Sequence, residues 1–133
     1  MDIKQSRRFI DNVRLILVVV LSCCAVQVWA HTKLVRSEPA PHAVLRRPPV
    51  EIRLWFSERL EGAFSTAELR GQAGDKIEDQ AARVSPADAR MLTLKIPQLG
   101  SGEYTVKYRV LSIDGHVLEA SFRFTVKALR LND

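Results

Sequence analysis

Sulfur is nearly absent from this chain. Two cysteines, Cys23 and Cys24, and two methionines, Met1 and Met91, are all that its 133 residues contain. Long apolar runs are missing as well: the longest, Leu15 to Val26, covers twelve residues, whereas a helix needs about 20 to cross a bilayer. No charge of one sign dominates, since 20 Lys and Arg stand against 15 Asp and Glu. From His31 onward sixteen bases face thirteen acids, a balance of +3. So small a surplus, spread over the chain, lacks the clustered basic face of a nucleic-acid binder. With six Gly and six Pro, collagen and low-complexity disorder are excluded too. The length fits one domain and leaves no room for a large enzyme.

The first thirty residues read as an address. A polar n-region carrying Lys4, Arg7, Arg8 and Arg14 precedes the short apolar core, and Val28-Trp29-Ala30 supplies small or β-branched residues at minus three and minus one. The expectation is a signal peptide over residues 1–30, cut before His31, and an exported domain over residues 31–133. A lipoprotein cut before Cys23 is the competing reading. Cleavage after Ala30 removes both cysteines, so any metal chemistry of the mature chain must use nitrogen and oxygen.

Alternation with a period of two dominates the chain beyond His31. Val50, Ile52, Leu54 and Phe56 alternate with Glu51, Arg53, Trp55 and Ser57. Tyr104 to Leu111 and Leu118 to Lys127 repeat the pattern. Lys33 to Arg36, Ala63 to Arg70, Lys76 to Glu78 and Met91 to Ile96 are weaker strand candidates, and Gln80 to Arg90 has room for a helical turn. Breakers such as Pro48-Pro49 and Gly100-Ser101-Gly102 separate the runs. The expected class is all-β, an antiparallel sandwich or barrel. Tyr104 and Tyr108 are expected in the core. Trp55 falls on the polar phase of its strand, where it covers an edge or forms part of a partner surface.

Three histidines, His31, His42 and His116, all lie beyond the expected cut. As a first residue, His31 presents an α-amine and an imidazole that can close a chelate ring on one ion, with protons that a metal displaces easily at neutral pH. In Ser112-Ile113-Asp114-Gly115-His116, an extended backbone would put Asp114 and His116 on one side. Gly115 would leave room there for a second backbone. Two imidazoles, an amine and a carboxylate form a tetragonal nitrogen and oxygen set that favours Cu(II) over Cu(I).

The mature start, His31 to Leu45, the segment Pro48 to Glu58, and Gly102 to Val126 resemble the CopC family of periplasmic copper-binding proteins over essentially all of residues 31–127. The motifs that carry the likeness are the exposed His31, Ser37 to Ala40, Phe56-Ser57-Glu58 and Ser112 to His116. The resemblance implies an Ig-like Greek-key β-sandwich of about seven strands that binds one Cu(II) per chain through His31, Asp114 and His116, with Glu58 a lesser candidate ligand. Members that also bind Cu(I) carry a methionine-rich loop, but here Gly71 to Met91 holds Met91 alone, which points to Cu(II) only. Relatives fused to a CopD-type transporter suggest such a membrane partner as a separate chain.

The leading functional expectation is a monomeric periplasmic Cu(II) carrier or sequestering protein without enzymatic turnover, for copper homeostasis or resistance. No nucleic acid is expected as a partner, and the mature domain is not expected to sit in the membrane. A histidine-brace copper monooxygenase is the runner-up, disfavoured by the small domain and by a third protein ligand at Asp114. A metal-free Ig-like interaction module is the third. His42, beside Pro41, is expected on an exposed loop away from the metal.

Overall fold

The computed structural model describes residues 31–77 and 80–127, so the expected signal segment 1–30 lies outside the described residues. Among the described residues eight strands occur in order: β1 (Leu34–Glu38), β2 (Val44–Leu45), β3 (Glu51–Phe56), β4 (Thr66–Arg70), β5 (Arg83–Val84), β6 (Met91–Lys95), β7 (Gly102–Leu111) and β8 (Val117–Val126). They form two sheets, ordered β1-β3-β6-β5 and β2-β8-β7-β4. Consecutive strands switch sheet except at the antiparallel pairs β5–β6 and β7–β8. The result is a Greek-key sandwich. Every pairing is antiparallel apart from β2, which runs parallel to β8.

Burial follows the alternation. Ile52, Leu54 and Phe56 of β3 turn inward while Arg53 stays exposed, and on β7 Tyr104, Val106, Tyr108 and Val110 turn inward against exposed Lys107 and Arg109. With no disulfide among the described residues, contact between these inner faces holds the sheets together, at roughly 25 cal/mol per Å² of apolar area removed from water. Both tyrosines lie in the core. Tyr104 stacks on Phe124 with ring centroids 5.6 Å apart, and its hydroxyl donates to the Gly100 carbonyl at 2.8 Å. Tyr108 meets Phe56 edge-on at 5.5 Å. Trp55 faces outward under the Arg36 guanidinium, 4.8 Å from the ring centroid, which suits the ring quadrupole to a cation.

Three local expectations need correction, and one strand was not expected. The strand expected from Ala63 begins only at Thr66, because Gly62–Phe64 forms a 3-10 turn. Of the strand expected at Lys76 to Glu78, a single bridge from Lys76 to Arg70 is present, and Glu78 lies outside the described residues. The stretch expected to hold a helical turn instead contains β5, which pairs with β6 at Arg83↔Thr93 and Val84↔Leu92. The short β2 has no sequence signature, and two residues cannot display a period.

Phe124 is 1% exposed, so Phe124→Ala should cost about 3–5 kcal/mol of unfolding free energy, read from urea midpoints. Val44→Ala on the solvent face should stay within about 0.5 kcal/mol. Burial raises the Tyr108 hydroxyl above the usual tyrosine range. The unfolded chain therefore loses this proton first, so the stability is intact below about pH 10 and declines as pH rises through the higher folded value. Tyr108→Phe should flatten the alkaline fall in melting temperature above about pH 10, and an unchanged slope would count against this assignment.

Candidate metal centre

One end of the sandwich gathers the segments that carry the sequence motifs. His31 to Lys33 enter β1 there, and the stretch is tied to the Phe-Ser-Glu motif by paired bonds: the Lys33 amide donates to Ser57 Oγ at 3.0 Å and the Ser57 amide to the Lys33 carbonyl at 2.9 Å. Beyond β3, Leu60 bridges Ser112, the Glu61 amide donates to the Leu111 carbonyl at 2.8 Å, and the Ile113 amide to the Arg59 carbonyl at 3.0 Å. Segments leaving opposite sheets are thereby joined by main-chain bonds. Thr32 is buried immediately behind His31, and its hydroxyl has no hydrogen-bond partner among the described residues.

The turn from Ser112 to His116 is organised by one hydroxyl. Ser112 is 1% exposed, and its Oγ has a single proton to give. That proton goes to Asp114 Oδ1 in a short bond, while the same oxygen accepts the His116 amide at 3.2 Å. The Ser112 amide donates back to the His116 carbonyl at 2.9 Å, and the Gly115 amide to the Ser112 carbonyl at 2.9 Å. Gly115 has φ +90°, a left-handed conformation that favours glycine. A Cβ built on it would meet nothing within 4 Å. The glycine is required by the turn's backbone rather than by the close approach of a second chain segment, which corrects the expectation of a second backbone packed there.

Asp114 and His116 meet because the chain turns, not because it is extended. Asp114 Oδ2 lies 3.1 Å from His116 Nδ1. The Ser112 hydroxyl first, and the His116 ring second, hold the Asp114 carboxyl below the usual carboxylate range. With the Asp114 carboxylate facing Nδ1, Nε2 is the ring nitrogen of His116 left for a metal. A carboxylate that orients an imidazole in this way is a common arrangement behind a metal-binding nitrogen.

His31 joins this group: its ring centroid is 6.3 Å from that of His116, with the planes inclined at 46°. Of the residues singled out from sequence, His31, Asp114 and His116 are thus brought together. Glu58 is on the loop after β3 at the same end, half-buried, and forms no hydrogen bond or ion pair among the described residues. His42 is remote. Its amide donates to the Arg123 carbonyl at 2.7 Å, and Arg123 lies six residues along β8 from Val117, roughly 20 Å at about 3.3 Å per residue. No group of three or more His, Cys, Asp or Glu side chains able to hold a metal is gathered among the described residues. A bound ion would therefore need the main-chain nitrogen of His31 or a small rotation of Asp114. Sequence reasoning missed Ser65, whose buried Oγ accepts the Leu111 amide at 3.2 Å and fixes the strand end leading into the turn. It treated Ser112 as part of a motif only. Nothing in the sequence marks either serine as buried, apart from their places beside strand termini.

The sequence pattern of the CopC domain matches residues 34–127. Protein YobA of Escherichia coli is 36% identical over 101 residues, covering 75% of this chain and 82% of that protein. Copper resistance protein C of Xanthomonas campestris pv. juglandis is 33% identical over 118 residues, covering 84% and 92%. The crystal structure of CopC from Methylosinus trichosporium OB3b superposes with a TM-score of 0.71 at 32% identity, over 77% of this chain and all of that one. The two-sheet sandwich, the Ser112 to His116 turn and these matches agree, and the chain belongs to the CopC family.

Proposed function

We propose that this chain is a periplasmic copper-binding protein that takes one Cu(II) ion at the His31–His116 end and sequesters or carries it without turnover, for copper homeostasis or resistance. The observation that carries the reading is the meeting of two imidazoles, 6.3 Å between centroids, from residues about 85 positions apart in sequence. His116 offers Nε2, and His31 offers its ring and, once residues 1–30 are removed, its amine. Asp114 belongs to the same centre through His116, and becomes a ligand itself if its carboxylate turns toward the ion. Glu58 is at most a peripheral neighbour.

The donor chemistry supports the oxidation state. Imidazole, amine and carboxylate suit Cu(II), whereas Cu(I) prefers thiolate and thioether. The one methionine beyond the start, Met91, pairs in register with Trp55, and a single thioether does not make up a Cu(I) ligand set. The relatives named for copper resistance support the role, and a separate CopD-type membrane protein is the expected recipient of the ion. The protein works as a monomer at rest.

Two measurements test this. Leaving one additional residue before His31 converts the amine into an amide, and Cu(II) affinity should fall by at least a hundredfold in competition titrations. Equal affinity in the two forms would remove the amine from the site. Among substitutions, His116→Ala should weaken Cu(II) most. Asp114→Asn should cost about 10- to 100-fold, in the range of partners that orient a ligand, while Glu58→Ala and His42→Ala should change affinity less than threefold. A dominant effect at His42 would overturn the assignment of the second imidazole.

A further inference from the structure

Strand register gathers several chain segments at the end of the sandwich remote from His116. Glu51 at the start of β3 faces Lys95 at the end of β6, and Gly102 at the start of β7 faces Val126 at the end of β8. The Ile96 amide donates to the Val50 carbonyl at 3.4 Å, and the Lys127 amide to the Leu45 carbonyl at 2.8 Å. Residues 46–50 cross here from one sheet to the other. Gly102 and Leu111 are the two ends of β7, so roughly 30 Å, at about 3.3 Å per residue, separates this end from the turn that carries His116.

Two properties coincide there. The tip is apolar: Val50 is 79% exposed, more than any other large apolar side chain among the described residues, and it shares a cleft of about 280 Å³ with Pro48, Pro49, Ile96 and Pro97. Proline has no N–H to strip of water, so a surface built on three of them enters a less polar medium at a smaller cost than ordinary loop backbone. Positive charge surrounds the tip. Arg46, Arg47, Lys95 and Lys127 are all exposed, and none forms an ion pair among the described residues. The neighbouring carboxylates are already engaged: Glu51 by Arg53, Glu38 by Arg36 and by Arg53 at 3.6 Å, and Glu103 by Arg123 at 3.4 Å. Four cations therefore remain for a ligand.

We propose that this end is a docking face for a bilayer rich in anionic phospholipid, on whose surface the protein stands with the His31–His116 end held away from the lipid. Val50 and the prolines enter the headgroup layer, while the four cations reach the phosphates around them, their stems against apolar surface and their charges in water. Each basic residue beside such a surface contributes about fivefold, so the four together give a reversible association on the order of several hundredfold at low salt. Salt weakens it as the Debye length shrinks. An acidic soluble protein would meet the same charges, but Val50 projects from its loop, and a fluid interface moulds around a projection. The inference does not depend on the copper reading, and it leaves that site open to solvent while the protein is held at the membrane.

The test uses residues 31–133, which form a compact unit of their own. In co-sedimentation, vesicles of phosphatidylcholine and phosphatidylglycerol in about equal parts should bind at least about thirtyfold more tightly than phosphatidylcholine alone, with the difference lost in about 0.5 M salt. Arg46→Glu combined with Arg47→Glu should weaken binding to the anionic vesicles at least about tenfold, and Val50→Asp at least about threefold. Arg90→Glu combined with Lys107→Glu makes the same change of charge elsewhere on the sandwich and should stay within about twofold of the native chain. Beyond His31 there is no cysteine, so a polarity-sensitive dye can be placed singly. At Val50→Cys its emission should shift to the blue on the anionic vesicles, and at Ile113→Cys, beside the metal centre, it should not. Equal binding to both kinds of vesicle, an equal loss in the Arg90 and Lys107 double variant, native binding by Val50→Asp, or a blue shift at Ile113→Cys would overturn the inference. Tighter binding to soluble polyglutamate than to the vesicles would overturn it too. None of these readouts involves copper, so their failure would leave the copper reading untouched.

Discussion

The arrangement at the functional end depends on the burial of one hydroxyl. Ser112 Oγ sits where β7 leaves the core, buried at 1% exposure, and satisfies two demands at once: it accepts the His116 amide and donates to Asp114 Oδ1. Without that oxygen the His116 amide would be short of an acceptor, at a typical cost of about 1–3 kcal/mol. The chain resolves the need locally, within five residues. This lets the turn hold its shape while its Asp114 and His116 side chains face outward.

That local solution is anchored to the rest of the fold by links that cross between sheets. Leu60, beyond the end of a strand in one sheet, bridges Ser112, beyond the end of a strand in the other. Ser65 fixes Leu111, and Ser57 fixes Lys33. The histidines are thus placed by backbone segments that are themselves hydrogen-bonded into the sandwich. Side-chain position at the site inherits the rigidity of the core, where Phe124, Tyr104, Phe56 and Tyr108 pack as paired rings.

Much of this was legible in the sequence, for physical reasons that differ from one element to the next. β3, β7 and β8 each bury one face and wet the other, so their alternation survives in the residue order. β2 and β5 are two residues long and exist through backbone pairing with longer neighbours, which leaves no trace in side-chain identity. Phe64 looked like the beginning of a strand because it is apolar and comes after Ala63, yet its side chain points to solvent from a 3-10 turn. At the site, residue types alone indicated His31, Asp114 and His116. An extended segment would also put Asp114 and His116 on one side, but the positive φ of Gly115 makes the segment a turn. Ser112 could not be distinguished from any other motif serine until its burial was known.

The separation of the two imidazoles along the chain has a thermodynamic consequence. His31 and His116 are about 85 residues apart in sequence, and any ion held by both closes a loop containing nearly all the strands. The described residues contain no cysteine, so such an ion would take the place of a covalent cross-link. Constraining a loop of that length removes unfolded-state entropy worth of order 4–5 kcal/mol in the chain-entropy treatment of disulfides. Unfolding then requires either release of the ion or a denatured chain that remains looped. For an ion so held, resistance to denaturation and occupancy become two readings of a single equilibrium.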